Sequence, residues 1–234
     1  MYIVEGNIGV GKSTFLGLIK EHCPEVDIVF EPLNDWDKNI SGQTLLDNFY
    51  KKPKRWSYTM ETFTMFRRVK DYVKEQKHND PYRILERSIY SGHYCFAYNG
   101  YEEGYFTKQE WEVYNLWVTF LIQKRCTPPL GFIYLQASPD VCLNRIRKRD
   151  RACEKDLKID LLNKLDHYHS RFLVKKEDVF PELKSIPVLV LDCNNEFEAN
   201  TEQMKDHISK VKSFLHENNK IKQLKPHSFD RIRF

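Results

Sequence analysis

Five short apolar runs set the rhythm of the chain: "YIVE" at residues 2–5, "DIVFE" at 27–31, "YRILE" at 82–86, "GFIYLQ" at 131–136 and "VLVLD" at 188–192. They are nearly continuous rather than alternating, which is the pattern of strands buried on both faces of a parallel sheet. Segments with helical spacing lie between them. "KSTFLGLIKEH" places Phe15, Leu18 and Ile19 on one face. "KRWSYTMETFTMFRRVKDYVKEQK", free of Gly and Pro from Lys54 to Lys77, predicts one long helix. "TKQEWEVYNLWVTFLIQKR" predicts another, opened by Thr107 with Glu110 three residues on, the reciprocal capping pattern. A last amphipathic helix is expected over 198–216, followed by a basic, irregular tail over "KIKQLKPHSFDRIRF". Strands alternating with helices give one α/β domain over residues 1–216, a five-stranded parallel sheet with helices on both faces, and residues 217–234 as a basic C-terminal tail.

Composition narrows this picture. A chain of 234 residues suffices for one large domain with a two-sided core, and 41% hydrophobic with 30% charged residues describe an ordinary globule. The net charge of +4 is too mild to argue for a nucleic-acid partner. No apolar stretch approaches membrane-spanning length, so no membrane partner is expected. The strand starting at Tyr2 leaves no room for a leader, which makes a cytoplasmic protein the expectation, although a trimmed precursor would look the same. Six cysteines (23, 95, 126, 142, 153 and 193) lack C-x-x-C spacing and read as free thiols in a reducing compartment.

The first strand runs into "GNIGVGKST", Gly6 to Thr14, which meets G-x-x-x-x-G-K-[ST] at Gly6, Gly11, Lys12 and Ser13. Glycines let the backbone N–H groups of such a loop, from Gly6 through Asn7, Ile8, Gly9 and Val10 to Gly11, converge on phosphate oxygens. The helix that opens at the loop adds its positive dipole end. Lys12 would reach the β- and γ-phosphates and Ser13 would ligate Mg²⁺, so a nucleoside triphosphate with Mg²⁺ is expected here. Such a loop alone does not separate GTPases, motor ATPases and small-molecule kinases. The chain has no [NT]KxD guanine-reading motif after a strand, no D-x-x-G switch and no strand ending in "DE". Instead Glu31 and Glu86 end the second and third apolar runs, at the strand edge where open α/β sheets bind ligands. "CLNRIRKRDRACE" supplies Arg145, Arg147, Lys148, Arg149 and Arg151 after the fourth strand. In isolation a basic run is a solvated surface or an RNA patch; after a strand in a phosphate-loop fold it occupies the place of an arginine-rich lid, about residues 145–156.

In order along residues 2–216, these motifs resemble the deoxynucleoside kinases, the family of deoxycytidine, deoxyguanosine and insect multisubstrate kinases. "EPLNDW" is similar to that family's E-P-x-x-x-W segment, "YKKPKRWSYTMETF" to its nucleoside-pocket stretch, "ERSIYSGHYCFA" to its E-R-S motif and "RIRKRDRACE" to its lid; "LDHYHSRFL" and "VLVLDCNNEF" complete the series. The resemblance implies a P-loop kinase fold, ATP as donor, Mg²⁺, a deoxynucleoside acceptor and a homodimer. It implies Glu31 as general base on the 5′-OH, oriented by Arg87, with Trp36 beside the base and Tyr50 and Glu154 on the 3′-OH. Leu46, Phe49, Met60 and Phe96 would wall the pocket, Phe96 stacking on the base. Glu86 would hold Mg²⁺ with Ser13, and Arg145, Arg149 and Arg151 would be the lid cations. Arg149 and Phe197, with Glu196 beside them, would flank the donor adenine.

Two positions depart from the family pattern. Its base-reading glutamine is Glu61 here, and the aspartate of the deoxycytidine kinases after E-R-S-x-Y-S is Gly92. Arg68, on the Glu61 face of the same helix, is then expected to pair with Glu61 or to turn to the base, and Gly92 to leave extra room there. An ionised Glu61 can only accept hydrogen bonds, and guanine alone presents two adjacent donors, so a lean to purines, with deoxyguanosine ahead, is expected. The expected dimer face is the helix from Thr107 to Arg125: Trp111, Tyr114, Leu116, Trp117, Phe120 and Leu121 exceed one sheet-facing stripe. A thymidylate-type monophosphate kinase, or a non-catalytic nucleotide- or RNA-binding module, are the competing functions.

Overall fold

All five apolar runs form strands in the computed structural model, which describes residues 1–31, 44–78, 80–151, 154–155, 157–198 and 201–224. The strands are β1 (Tyr2–Gly6), β2 (Ile28–Val29), β3 (Ile84–Glu86), β4 (Gly131–Gln136) and β5 (Val188–Asp192). They pair in parallel in the order β2-β3-β1-β4-β5, so β1 is central and its carboxyl end faces the loop that follows it. Side chains alternate between two cores. Tyr2 and Val4 pack with α1 (Lys12–His22), α7 (Pro139–Arg149) and α9 (Thr201–Leu224). Ile3, Leu85 and Phe132 pack on the other side with α3 (Pro53–Glu75) and α6 (Lys108–Arg125). β1, β3 and β4 are buried on both faces, which is why they lack a polar side in the sequence, while the edge strands β2 and β5 are only partly covered.

Local sequence explains where the helices begin. Thr107 Oγ1 accepts from Glu110 N at 3.2 Å while Thr107 N donates to Glu110 Oε2 at 2.8 Å, the expected reciprocal cap of α6. Thr44 and Asp47 cap α2 (Leu45–Lys51) in the same way. Pro53 opens α3, where its missing N–H costs no hydrogen bond. Ser88 Oγ accepts from Tyr90 N and Ser91 N and starts a helical stretch made of α4 (Ile89–Ser91), a π-helical segment (Gly92–Ala97) and α5 (Tyr98–Glu102). After β4 come α7 and α8 (Ile159–His169).

One boundary differs from expectation. The last helix does not stop at residue 216 but runs to Leu224, because the sequence offers no Gly or Pro until Pro226. Residues 225–234 of the expected tail lie outside the described residues. Cys23, Cys95, Cys126, Cys142 and Cys193 are free thiols. Among the described residues no helix is long and apolar enough to cross a membrane.

Candidate active site

The loop between β1 and α1 lies at the mouth of a cavity of about 1070 Å³. Gly11 adopts φ 101° as the residue that starts α1, and a Cβ there would come within 3.0 Å of the Phe197 ring. Only glycine meets both conditions without strain. Ile8, Gly9, Gly11, Lys12, Ser13 and Thr14 line the cavity. Gly6, Asn7 and Val10 lie beneath it: Asn7 Nδ2 donates to Leu162 O at 2.9 Å, and Val10 is part of the core. Lys12 Nζ donates to the carbonyls of Gly6 (3.1 Å) and Asn7 (2.8 Å). Burial pushes its ammonium well below the usual lysine value, and Arg87 adds to this, while Glu86, Glu31 and Glu5 oppose it.

Strand ends deliver the carboxylates. Ser13 Oγ donates to Glu86 Oε1 at 2.6 Å, and Glu86 Oε2 accepts from the Glu31 backbone N–H at 3.3 Å. A hydroxyl and a carboxylate in contact beside a phosphate loop are oxygen ligands of the kind Mg²⁺ takes together with substrate phosphates. Among the described residues no group of three or more His, Cys, Asp or Glu side chains could hold a metal by itself. Pairing of Val29 with Leu85 carries Glu31 alongside Arg87 two residues later. Arg87 Nε lies 3.6 Å from Glu31 Oε2, and Arg68 reaches Glu31 Oε1 from α3 through Nε (3.2 Å) and Nη2 (2.9 Å). Two guanidiniums from different elements therefore fix this carboxylate.

Arg87 holds a left-handed conformation with φ 66°. Such a non-glycine residue costs on the order of 1–3 kcal/mol and persists only where its surroundings fix it. Its N–H donates to Val4 O at 2.9 Å, and its neighbours Glu86 and Ser88 are tied to Ser13 and Glu5. Its guanidinium lies 4.9 Å from the Phe96 ring centroid.

Two expectations are corrected here. Arg68 hydrogen-bonds Glu31, the carboxylate beyond Glu61, because its long side chain spans from α3 to the end of β2. Gly92 does not widen the pocket: a Cβ there would lie 2.7 Å from Arg68 Nη1, so the space is filled by that guanidinium. Gly92 accommodates the Arg68–Glu31 pair.

Most of the remaining candidates line the same cavity. Pro53, Ser57, Met60, Glu61, Thr64 and Arg68 form one stripe of α3 along the cavity, facing Phe96 and, from α2, Leu46, Phe49 and Tyr50. Glu61 is buried; Thr64 Oγ1 donates to its carbonyl at 3.1 Å. Arg149, Arg151 and Glu154 line the far wall, with Arg149 Nη2 donating to Glu154 Oε2 at 2.6 Å and Arg151 Nη1 3.7 Å from Oε1. Arg145 behaves differently from its neighbours. It donates to the carbonyls of Val10 (3.1 Å), Cys193 (2.8 Å) and Asn195 (2.9 Å), stapling the base of α7 to the loop and to β5. Its guanidinium lies 5.7 Å from the Phe197 centroid, and its Nε is 3.8 Å from Glu196. Trp36 lies outside the described residues.

Sequence reasoning missed Glu5. It is fully buried in β1, accepts from Ser88 Oγ, and burial raises its carboxyl against the pull of Arg87. The rule that marked Glu31 and Glu86, a carboxylate at the end of a strand, applies to it equally.

A phosphate cradle beside a hydroxyl–carboxylate pair, with an arginine-held carboxylate adjoining a half-apolar slot, makes the molecule a P-loop kinase in fold and site. A family model for deoxynucleoside kinases matches residues 2–216. The chain is 39% identical to the mitochondrial deoxyguanosine kinase of Xenopus laevis, over 91% of this chain and 88% of that one. It is 35% identical to deoxycytidine kinase 2 of Gallus gallus and 33% to the deoxycytidine kinase of Homo sapiens, each over 91% of this chain and 89% of the relative. The chain belongs to the deoxynucleoside kinase family. It is a phosphotransferase that uses ATP to phosphorylate nucleosides in salvage.

Proposed function

We propose that this chain transfers the γ-phosphate of ATP to the 5′-OH of a deoxyribonucleoside, with Glu31 as the general base. The observation that carries this reading is the placement of Glu31: held by Arg68 and Arg87, it lies between the phosphate loop and the slot lined by Phe96 and Met60. A fixed carboxylate there can take the proton of a hydroxyl bound in the slot. Phe96, Leu46, Phe49 and Met60 provide the apolar faces for a base. Tyr50 and Glu154 hold the 3′-OH, and Arg87 orients Glu31 and the 5′ end. Arg149 and Arg151 serve as lid cations, while Arg145 secures the lid's base. Phe197, with Arg149 and Glu196, receives the donor adenine.

Ser13 and Glu86 would hold Mg²⁺, which when bound would neutralise phosphate charge. Turnover is therefore expected to vanish in EDTA and to return with added Mg²⁺. Phosphoryl transfer that persists in EDTA would remove the metal from this reading.

The working form is a homodimer formed through α6. Val113, Leu116, Trp117 and Phe120, spaced as one helical stripe, are 42–72% exposed, whereas Tyr114, Val118 and Ile122 of the same helix are buried. So contiguous an apolar stripe is suited to a partner surface. Sedimentation at micromolar concentration should give about twice the monomer mass, and Trp117→Glu should give the monomer; a monomeric wild type would refute the dimer.

A further inference from the structure

The α3 stripe along the cavity runs from the phosphate end to the opposite end. Arg68 meets Glu31 at the first. Glu61 lies seven residues earlier, about 10 Å back along the helix axis. That is the scale of a nucleoside from its 5′-oxygen to the edge of its base. Polar groups continue along the cavity beyond Glu61: Ser57 Oγ approaches Gly100 of α5, and Asn99 beside it keeps Oδ1 without a hydrogen-bond partner among the described residues. Asn99, Ser57 and Thr64 are neutral at every working pH, so of these four side chains only Glu61 can change its hydrogen-bonding character.

We propose that Glu61 reads the acceptor base in two protonation states, the ionised carboxylate selecting guanine and the protonated carboxyl accepting cytosine or adenine. This deepens the deoxynucleoside kinase reading and rests on it. Ionised, Glu61 offers two acceptors, which match the adjacent N1–H and N2–H donors of guanine. Protonated, it offers one donor and one acceptor, the complement of the ring nitrogen and amino group of cytosine or adenine. Each state sets like groups against the other's partner, an unmet pairing that carries a large penalty in a buried site.

The surroundings allow both states. Burial drives the Glu61 carboxyl up to about 7, against Arg68, Thr64 and Arg87, which favour the charge. The charged and titratable groups around it are Arg68 on its own helix, Arg87 after β3, Glu31 after β2 and Tyr114 of α6. Arg68 lies close enough to temper the charge, and it also donates to Glu31.

The test compares kcat/KM for deoxyguanosine, deoxyinosine and deoxycytidine between about pH 6 and about pH 8, around the ordinary span over which a group titrating near 7 changes state. Using ratios between acceptors cancels titrations common to all of them, including that of Lys12. In the wild type the deoxyguanosine-to-deoxycytidine ratio should rise about tenfold or more across this range. At the upper end deoxyinosine, which lacks N2–H, should fall about tenfold below deoxyguanosine. In Glu61→Gln the ratio should be flat. A flat ratio in the wild type, or an equal slope in wild type and variant, overturns the inference while leaving the kinase intact. Phosphorylation of no deoxynucleoside at any pH overturns the kinase reading and this inference with it. The wild-type profile and the deoxyinosine comparison stand even if the variant does not fold.

Discussion

Replacing Glu31 by Gln is expected to lower kcat by roughly 10²–10⁴-fold, the usual worth of a positioned general base. Glutamine keeps the shape of the side chain, and its carbonyl oxygen can still accept from Arg68, now 2.9 Å from Oε1. The fold and the approach of the nucleoside should therefore survive, and the loss should fall on kcat with KM for the acceptor little changed. That split separates a base from a binding group, since loss of binding alone would raise KM and leave kcat. Steady-state kinetics with saturating ATP measures it. An unchanged kcat would take Glu31 out of the chemistry and leave the arginine clamp around it without a purpose.

Lys12→Met should lower kcat by about 10²–10³-fold, the typical cost of removing one preorganised group aimed at charge that grows in the transition state. The variant should fold. Lys12 is a buried cation whose folded-state value lies below its unfolded value, so the unfolded chain binds more protons between the two. The ammonium thus detracts from stability at neutral pH, and that penalty fades as pH rises from the folded value toward the unfolded one. Methionine removes the charge and leaves the Gly6 and Asn7 carbonyls without its donor, two opposed effects. ATP should raise the melting temperature of the wild type more than that of the variant, because only the wild type has a cation for the phosphates. Equal kcat in both proteins would mean that the loop does not position the reacting phosphoryl.

Much of this site could be read from the chain because its parts are local. Parallel strands buried on two faces are continuous apolar runs, so five such runs marked the sheet. The phosphate loop is one contiguous segment, and Thr107 with Glu110 announces a helix start by itself. Side-chain partners across the fold were harder. Arg68 lies on the Glu61 face of α3, which periodicity establishes, yet its guanidinium ends at Glu31, and periodicity cannot give the reach of a long side chain. Gly92 looked like room for a base; that space is set by a residue twenty-four positions earlier in the chain. Arg145, grouped with the lid by charge, is committed to three backbone carbonyls. Glu5 was legible but overlooked, because "YIVE" reads as a strand before it reads as a strand ending in a carboxylate.

Transfer from γ-labelled ATP, with Mg²⁺ and either a deoxynucleoside or its 5′-monophosphate as acceptor, decides which hydroxyl or phosphate this enzyme phosphorylates. Label is expected in the deoxynucleoside 5′-monophosphate when the nucleoside is supplied, and none is expected to pass to the monophosphate. Label appearing only in a diphosphate made from the monophosphate would contradict it.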